Sequence, residues 1–330
     1  MPKPRVSLDS TFLYQLSAEF SPETPALIGV SGGRDSMVLL HLLKLAGFEN
    51  LVVCHVNHGL RGSESEADAD LVAKVAAELE FKCESKTADV AKYAAETKQS
   101  LELAARQVRH DFFAEMALKH DCTGIFLAHH ADDQVETVLM NFFRGSGLRG
   151  LGGMRRSSEF RHGARDLIFN RPLLEVWGEA IDLYCSENSI PFREDRSNFD
   201  PEFAVRNRVR QQLIPDLADI FGRDIRGAVE RLSRVLKMEE AVRESQIDSV
   251  FADLIDDNGA LDSKKLAEMA EADQFRIVAR WLSESGVPDC GFPEIQRVLD
   301  LLSESGDPAK INLPADVHAR RRAGRIFLEK

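Results

Sequence analysis

Ala26-Leu27-Ile28-Gly29-Val30-Ser31-Gly32-Gly33-Arg34-Asp35-Ser36, running straight into Met37–Leu45, reads as strand, turn and helix in immediate succession. The apolar run Ala26–Val30 after Pro25 is short and unbroken, as in a strand buried on both faces. Met37–Leu45 continues as a helix. The turn between them suits an anion. Gly32 and Gly33 let the backbone approach closely, and the helix start turns its N–H groups and positive dipole end outward. Ser31 and Ser36 add hydroxyl donors, and the whole segment Ser31, Gly32, Gly33, Arg34, Asp35, Ser36 is the expected nucleotide-binding set. A Walker A loop would need a lysine that reaches the outer phosphates. An aspartate stands here instead, and no G-x-G-x-x-G follows. A carboxylate beside a polyphosphate makes sense with a metal between them, so Asp35 is the first candidate Mg2+ ligand.

Outward from this stretch, strands and helices alternate. Leu51–Val56, Phe81–Ser85 and Gly124–Ala128 read as strands. Glu64–Leu79, Leu101–His120 and Val135–Phe143 read as helices. Such alternation predicts an α/β fold with a doubly wound parallel sheet. Ligands on these sheets sit at the carboxyl ends of the strands, where strand order reverses. The glycines at 145, 147, 150, 152 and 153, interleaved with arginines, predict a long mobile loop over 145–163. From Glu175 the pattern is mainly helical, with short extended runs near Lys310–Leu313 and Arg325–Leu328. The expected division is a catalytic domain over 1–214 and a smaller, mainly helical domain over 215–330.

A second acidic motif, His129-His130-Ala131-Asp132-Asp133-Gln134-Val135-Glu136-Thr137, follows the strand at Gly124. Asp132 and Asp133 on their own read as helix-start caps. Two acidic motifs at strand ends of one sheet favour a second Mg2+ contact, with Asp133 as its ligand. Adjacent histidines point apart and lack a third ligand at zinc spacing, so a zinc site is not expected.

The net charge of −12 argues against a polyanionic partner, but the charge is uneven. Seven arginines between Arg144 and Arg171 face only Glu159 and Asp166, and two more clusters hold Arg206, Arg208, Arg210 and Arg320, Arg321, Arg322, Arg325. Local basic faces of this kind meet nucleic acid even on an acidic protein. Cys54, Cys83, Cys122, Cys185 and Cys290 form no C-x-x-C pair, so five free thiols are expected. No apolar run reaches the ~18 residues needed to span a bilayer. The first residues lack the apolar core of a secretory signal, which points to the cytoplasm and no membrane.

The segment Ser31–Ser36 resembles the PP-loop, S-G-G-x-D-S, of the ATP pyrophosphatase superfamily. Further stretches narrow the likeness: His55–Gly62, Leu103–Arg109, Asn141–Leu151, Arg171–Leu174, Asp195–Asn198 and Arg206–Arg210. Together, over about 25–217, they resemble the tRNA(Ile)-lysidine synthetase family. The resemblance implies an adenine nucleotide alpha hydrolase-like fold, ATP and Mg2+ at the first loop, and an isoleucine tRNA with a CAU anticodon as partner. It implies that the C2 oxygen of the wobble cytidine attacks the α-phosphate and releases pyrophosphate. Free L-lysine then displaces AMP through its ε-amino group. That amine must be neutral to attack, yet its reference pKa is about 10.4. Asp132, Asp133 or Glu136 is placed to take the proton. Arg106, Arg109, Arg206 and Arg210 suit a carboxylate, a phosphate or developing charge, with no assignment among them. The rival of the same superfamily is tRNA cytidine 2-thiolation, whose enzymes carry paired cysteines. A rival of another class is an RNA-binding protein with an inactive ATP site, against which Asp35, Ser36 and the 132–133 pair all stand. Oligomeric state stays open, a homodimer included.

Overall fold

A computed structural model describes residues 7–60, 62–163, 165–194, 205–288, 290–303 and 309–329. Arg61 and the Asp195–Asn198 motif lie outside the described residues. The helix α1 (Ser10–Phe20) precedes the central strand β1 (Ala26–Gly29). Side chains of β1 alternate between two cores, as the pleat requires. Ala26 and Ile28 join one cluster, Leu27 another. Burying each such large aliphatic side chain stabilises the fold by about 1.5–3 kcal/mol.

The chain continues through α2 (Arg34–Leu45), β2 (Leu51–Asn57), α3 (Ser63–Glu78), β3 (Lys82–Thr87), α4 (Val90–Thr97), α5 (Leu101–Lys119), β4 (Gly124–Phe126) and α6 (Ala131–Phe143). Next come a short α7 (Leu148–Leu151), the strands β5 (Ser157–His162) and β6 (Arg165–Asn170), and α8 (Gly178–Glu187). The sheet order is β3-β2-β1-β4-β6-β5. Every pairing is parallel except β5 with β6 at the edge. Residues of α1, α2, α3 and α8 cover one face through Leu16, Leu39, Val72 and Ile181. Phe112, Phe113 and Met116 of α5 cover the other. This is the doubly wound α/β sheet that the alternation predicts.

The stretch 145–163 is more ordered than a long mobile loop. It holds α7 and the edge strand β5, whose Ser157–His162 pairs with Arg165–Asn170. The burial of β5 alternates along the strand, a period-2 signal that the surrounding arginines and glycines hide. Cys54, Cys122 and Cys185 are buried, and no disulfide links the five cysteines among the described residues. Among the described residues, no helix is long and apolar enough to cross a membrane.

After α9 (Val205–Arg208) and a π-helical turn (Val209–Leu213) come α10 (Ile214–Phe221) and the long α11 (Arg226–Leu254). The chain forms two compact units, 1–236 and 237–330, not the 214/215 division expected from the sequence. The reason is a small core around α6. Leu213, Ile214 and Leu217 pack with Val135, Leu139, Trp177 and Val209, which keeps this stretch in the first unit.

The second unit contains β7 (Leu261–Asp262), α12 (Ser263–Ala267), α13 (Glu271–Glu284), α14 (Phe292–Asp300), β8 (Lys310–Asn312), β9 (His318–Arg322) and β10 (Arg325–Glu329). Its helices pack Ile277, Trp281, Ile295 and Val298 against Ile311, Ala319 and Ile326 of an antiparallel sheet ordered β7-β10-β9-β8. The β9–β10 turn uses Ala323 and Gly324, at φ +49° and +78°, as a two-residue hairpin connection prefers.

Candidate active site

Strand order reverses between β1 and β4, with β2 on the far side of β1. The turns after β1 and β4 therefore share one crevice. After β1, Gly32 adopts φ +89° and Gly33 caps α2. The loop is braced from within. Ser31 N–H donates to Ser36 Oγ (3.2 Å), Gly33 N–H to Ser31 Oγ (3.2 Å), and Ser36 Oγ–H to the Gly33 carbonyl (2.9 Å). From below, buried His55 of β2 hydrogen-bonds the Val30 carbonyl at 2.9 Å. Arg193 N–H donates to the Gly32 carbonyl (3.0 Å), while its guanidinium holds Asp68 at 2.7 Å. The first turn of α2 is left with N–H groups that no helical carbonyl takes.

Asp35 on that turn accepts from Arg34 Nε at 2.8 Å, and Arg34 also pairs with Asp182. Its other oxygen lies 3.6 Å from His130 Nε2. Asp133 Oδ2 approaches the same nitrogen to 3.6 Å and accepts the His130 backbone N–H at 3.0 Å. Two carboxylates from different strand ends thus converge on one point. Burial disfavours a charged imidazole there, but Asp133, Asp132 and Asp35 outweigh it and raise the His130 pKa to about 9.

Asp132 is engaged differently. It accepts Gly178 N–H at 2.9 Å and Arg226 at 2.6 Å, so it ties α6 to α8 and α11. Burial works against ionised Asp132, but His130, Gly178 and Arg226 hold its carboxyl far below the usual range. Glu136, one turn further along α6, is fully buried. Arg210 grips it through two contacts at 2.5 and 3.2 Å and reaches Asp133 at 3.2 Å. Arg206 lies 3.4 Å from Glu136 and donates to Thr137 at 2.9 Å. Burial and nearby Asp133 raise the Glu136 carboxyl above its ordinary value even against Arg210.

Arg106 and Arg109 of α5 belong to a different environment. Together with Arg171 and Arg206 they form a group of like charges around His129. Burial, Arg106 and Arg206 pull the Arg109 pKa down to about 10. Burial and Arg106 do the same to Arg171. His129 is kept neutral, its pKa pushed to about 3 by burial and by Arg171, Arg109 and Arg206, with Asp133 opposing. Among the described residues, Arg109 Nε, Arg171 Nε and His129 Nδ1 are buried without a hydrogen-bond partner. Unpaired buried donors beside surplus positive charge suit an anionic group.

Sequence reasoning thus brought forward Asp35, Asp133, Arg206 and Arg210, which the fold gathers, and Arg106 and Arg109, which it places on the cationic side. It missed His55, Arg193, Arg226 and Gln134. Gln134 Oε1 accepts Met154 N–H at 2.7 Å, and its Nε2 reaches the Gly152 carbonyl and Ser233 Oγ, each at 3.1 Å, pinning the glycine segment to α6. Gln134 sits directly after the acidic pair, and that position was the one available signal.

Residues 8–217 match the PP-loop domain family and residues 261–327 match the TilS substrate binding domain. The tRNA(Ile)-lysidine synthase of Clostridium tetani is 36% identical, over 68% of this chain and 47% of its own length. Its counterpart in Bacillus subtilis is 33% identical over 87% of this chain and 62% of its own. That of Shouchella clausii is 34% identical over 92% and 67%. The chain therefore spans about half to two thirds of the length of these relatives. Among solved structures, a U34-tRNA thiolase from Methanococcus maripaludis covers 69% of this chain and 78% of its own at a TM-score of 0.54. At 15% identity that likeness is one of fold.

Proposed function

The chain belongs to the tRNA(Ile)-lysidine synthase family of PP-loop proteins, and from that premise we propose that it attaches free L-lysine to C2 of the wobble cytidine in an isoleucine tRNA with a CAU anticodon. The observation that carries the proposal is the convergence of Asp35 and Asp133, each 3.6 Å from His130 Nε2, beside the braced loop Ser31–Ser36. Backbone N–H groups of that loop hold the outer phosphates of ATP and orient the α-phosphate toward the cytidine C2 oxygen. Pyrophosphate leaves, and the base becomes an adenylate.

Among the described residues no three His, Cys, Asp or Glu side chains form a closed metal cage. Two converging carboxylates without a third suit Mg2+, which takes one or two protein carboxylates and fills its shell from phosphates and water. Asp35 and Asp133 would hold it. Bound there, it supplies charge neutralisation for the departing pyrophosphate.

The cationic group of Arg106, Arg109 and Arg171 takes the lysine carboxylate or the AMP phosphate, leaving the amine to face α6. Glu136, with its raised pKa, accepts the ammonium proton. The ε-amine then forms the C2–N bond and the C2–O bond to AMP breaks. Asp132 positions α6 through Gly178 and Arg226. The match of residues 261–327 to a TilS substrate binding domain favours this reading over thiolation.

The test is incubation with ATP, Mg2+, labelled lysine and unmodified isoleucine tRNA. Label on the RNA and AMP formation, both lost in Asp35→Asn with melting unchanged, are expected. Full turnover by that variant, or labelling of the RNA only from a sulfur donor, overturns the proposal.

A further inference from the structure

Phe142 and Phe143 close α6 with their rings edge to face, 5.3 Å apart at 86°, and they remain 62% and 66% exposed. Single exposed apolar residues need no explanation, whereas two adjacent exposed aromatics on a rigid helix end do. The rigidity is built in. Gly145 N–H donates to the Phe142 carbonyl and Ser146 N–H to the Asn141 carbonyl, both at 3.0 Å, with Gly145 at φ +72°. These two bonds form a Schellman closure. Asn141 Nδ2 also donates to the Gly150 carbonyl at 2.8 Å, fixing the turn that follows. Arg144 and Arg149 beside the pair are exposed, and neither has a carboxylate partner among the described residues.

We propose that Phe142 and Phe143 form a stacking platform for an unpaired base of the RNA, a few nucleotides from the one that enters the site. This rests on the RNA-modifying reading above. An aromatic face flanked by unpaired arginines is the combination that grips single-stranded nucleic acid, since every base offers a π-face and every linkage a phosphate. The placement fits as well. Asp133 and Phe143 share one helix, ten residues apart, so about 15 Å separates them along its axis. That is about four bases at the stacked spacing of ~3.4 Å. A loop base resting on the platform thus leaves a nucleotide about four stacked positions away within reach of the acidic end. A second copy of the chain is the poorer occupant. A two-fold contact through this patch would set Arg144 and Arg149 against themselves.

Phe143→Trp provides the probe, because Trp177 and Trp281 are only 7% and 2% exposed and contribute little solvent-accessible signal. An RNA hairpin carrying CAU in its loop is titrated against this variant without ATP or lysine, beside a blunt duplex of the same composition. Quenching by the hairpin and not by the duplex is expected. Removing both rings, with Phe142→Ala and Phe143→Ala together, should weaken hairpin binding by about tenfold to a hundredfold. Phe143→Leu, which keeps apolar bulk without a π-face, should lose much of the same affinity. No quenching, or equal quenching by the duplex, overturns the platform. So does wild-type hairpin affinity in the leucine variant, or altered self-association of the double variant with its RNA affinity intact. Quenching by the hairpin upholds the platform even if the protein attaches no lysine, so the two readings fail separately.

Discussion

A Cβ at Gly29 would lie 2.7 Å from Phe113 Cζ, and one at Gly153 would lie 2.7 Å from Gln134 Nε2 at a backbone φ of +69°. Gly29 ends the strand that leads into the Ser31–Ser36 loop, and Phe113 is locked in the core beneath it. Gly29→Ala should therefore cost about 1–3 kcal/mol through overpacking, read as a lower denaturant midpoint, and should raise the KM for ATP. The two carboxylates of α6 separate by chemistry. Against its burial, Asp133 is held ionised by charged His130 and by Arg206, while burial raises Glu136. Glu136→Gln should then leave lysine-independent pyrophosphate release within a fewfold of wild type and lower lysine transfer by about a hundredfold or more. Equal losses in both steps would remove the base assignment.

At the scale of elements, α6 is the organising helix, with the acidic pair at its start and the glycine segment tied to its side by Gln134. Gln134→Ala leaves the Met154 N–H without its partner inside the protein and the Gly152 carbonyl with Ser233 Oγ alone. A loss of about 1–3 kcal/mol is expected, with protease cleavage between residues 144 and 156 ahead of global unfolding. On the opposite edge, Glu84 of β3 clamps the end of α5, accepting from Lys119 and from His120, each at 2.9 Å. The Lys119 hydrogen bond, with that of His120, lowers the Glu84 pKa below its ordinary 4.5 against the opposing effect of burial. A depressed carboxyl stabilises the fold above its unfolded pKa and loses that contribution as pH falls through the folded one. Glu84→Gln should thus melt on the order of a few degrees lower at neutral pH. The gap should close as the pH drops below about 4.5, and a gap that stays constant would exclude the linkage.

Across the whole molecule, a chain of net charge −12 still carries separate basic faces. In the second unit, Lys310 pairs with Arg320 across the sheet, and Arg322 lies two residues on along the same face. RNA binding should weaken linearly in log salt. Replacing Arg320 and Arg322 with alanine should reduce the slope by roughly 1–2, measured by filter binding over a salt series. An unchanged slope would mean that this face does not meet phosphate.

The parallel sheet and its glycine loop were legible because both rest on local rules. Apolar runs of strand length alternate with helical periods, and a glycine turn between strand and helix has few other uses. That Asp35 and Asp133 lie at the ends of strands of one sheet was legible from the alternation, whereas their common approach to His130 was not. Local pattern did not reach β5 or β9, where arginines mask a period-2 strand, nor the division at 236/237, set by contacts of Leu213, Ile214 and Leu217 with α6. The partners of each charge lay equally out of reach. Arg226 meets Asp132 across 94 positions and Arg210 meets Glu136 across 74. Adjacency along the chain determined the elements and the loop. Only adjacency in space decided which carboxylate is clamped, which is raised and which arginines stay unpaired, because burial and Coulomb energy depend on the surroundings and not on sequence order.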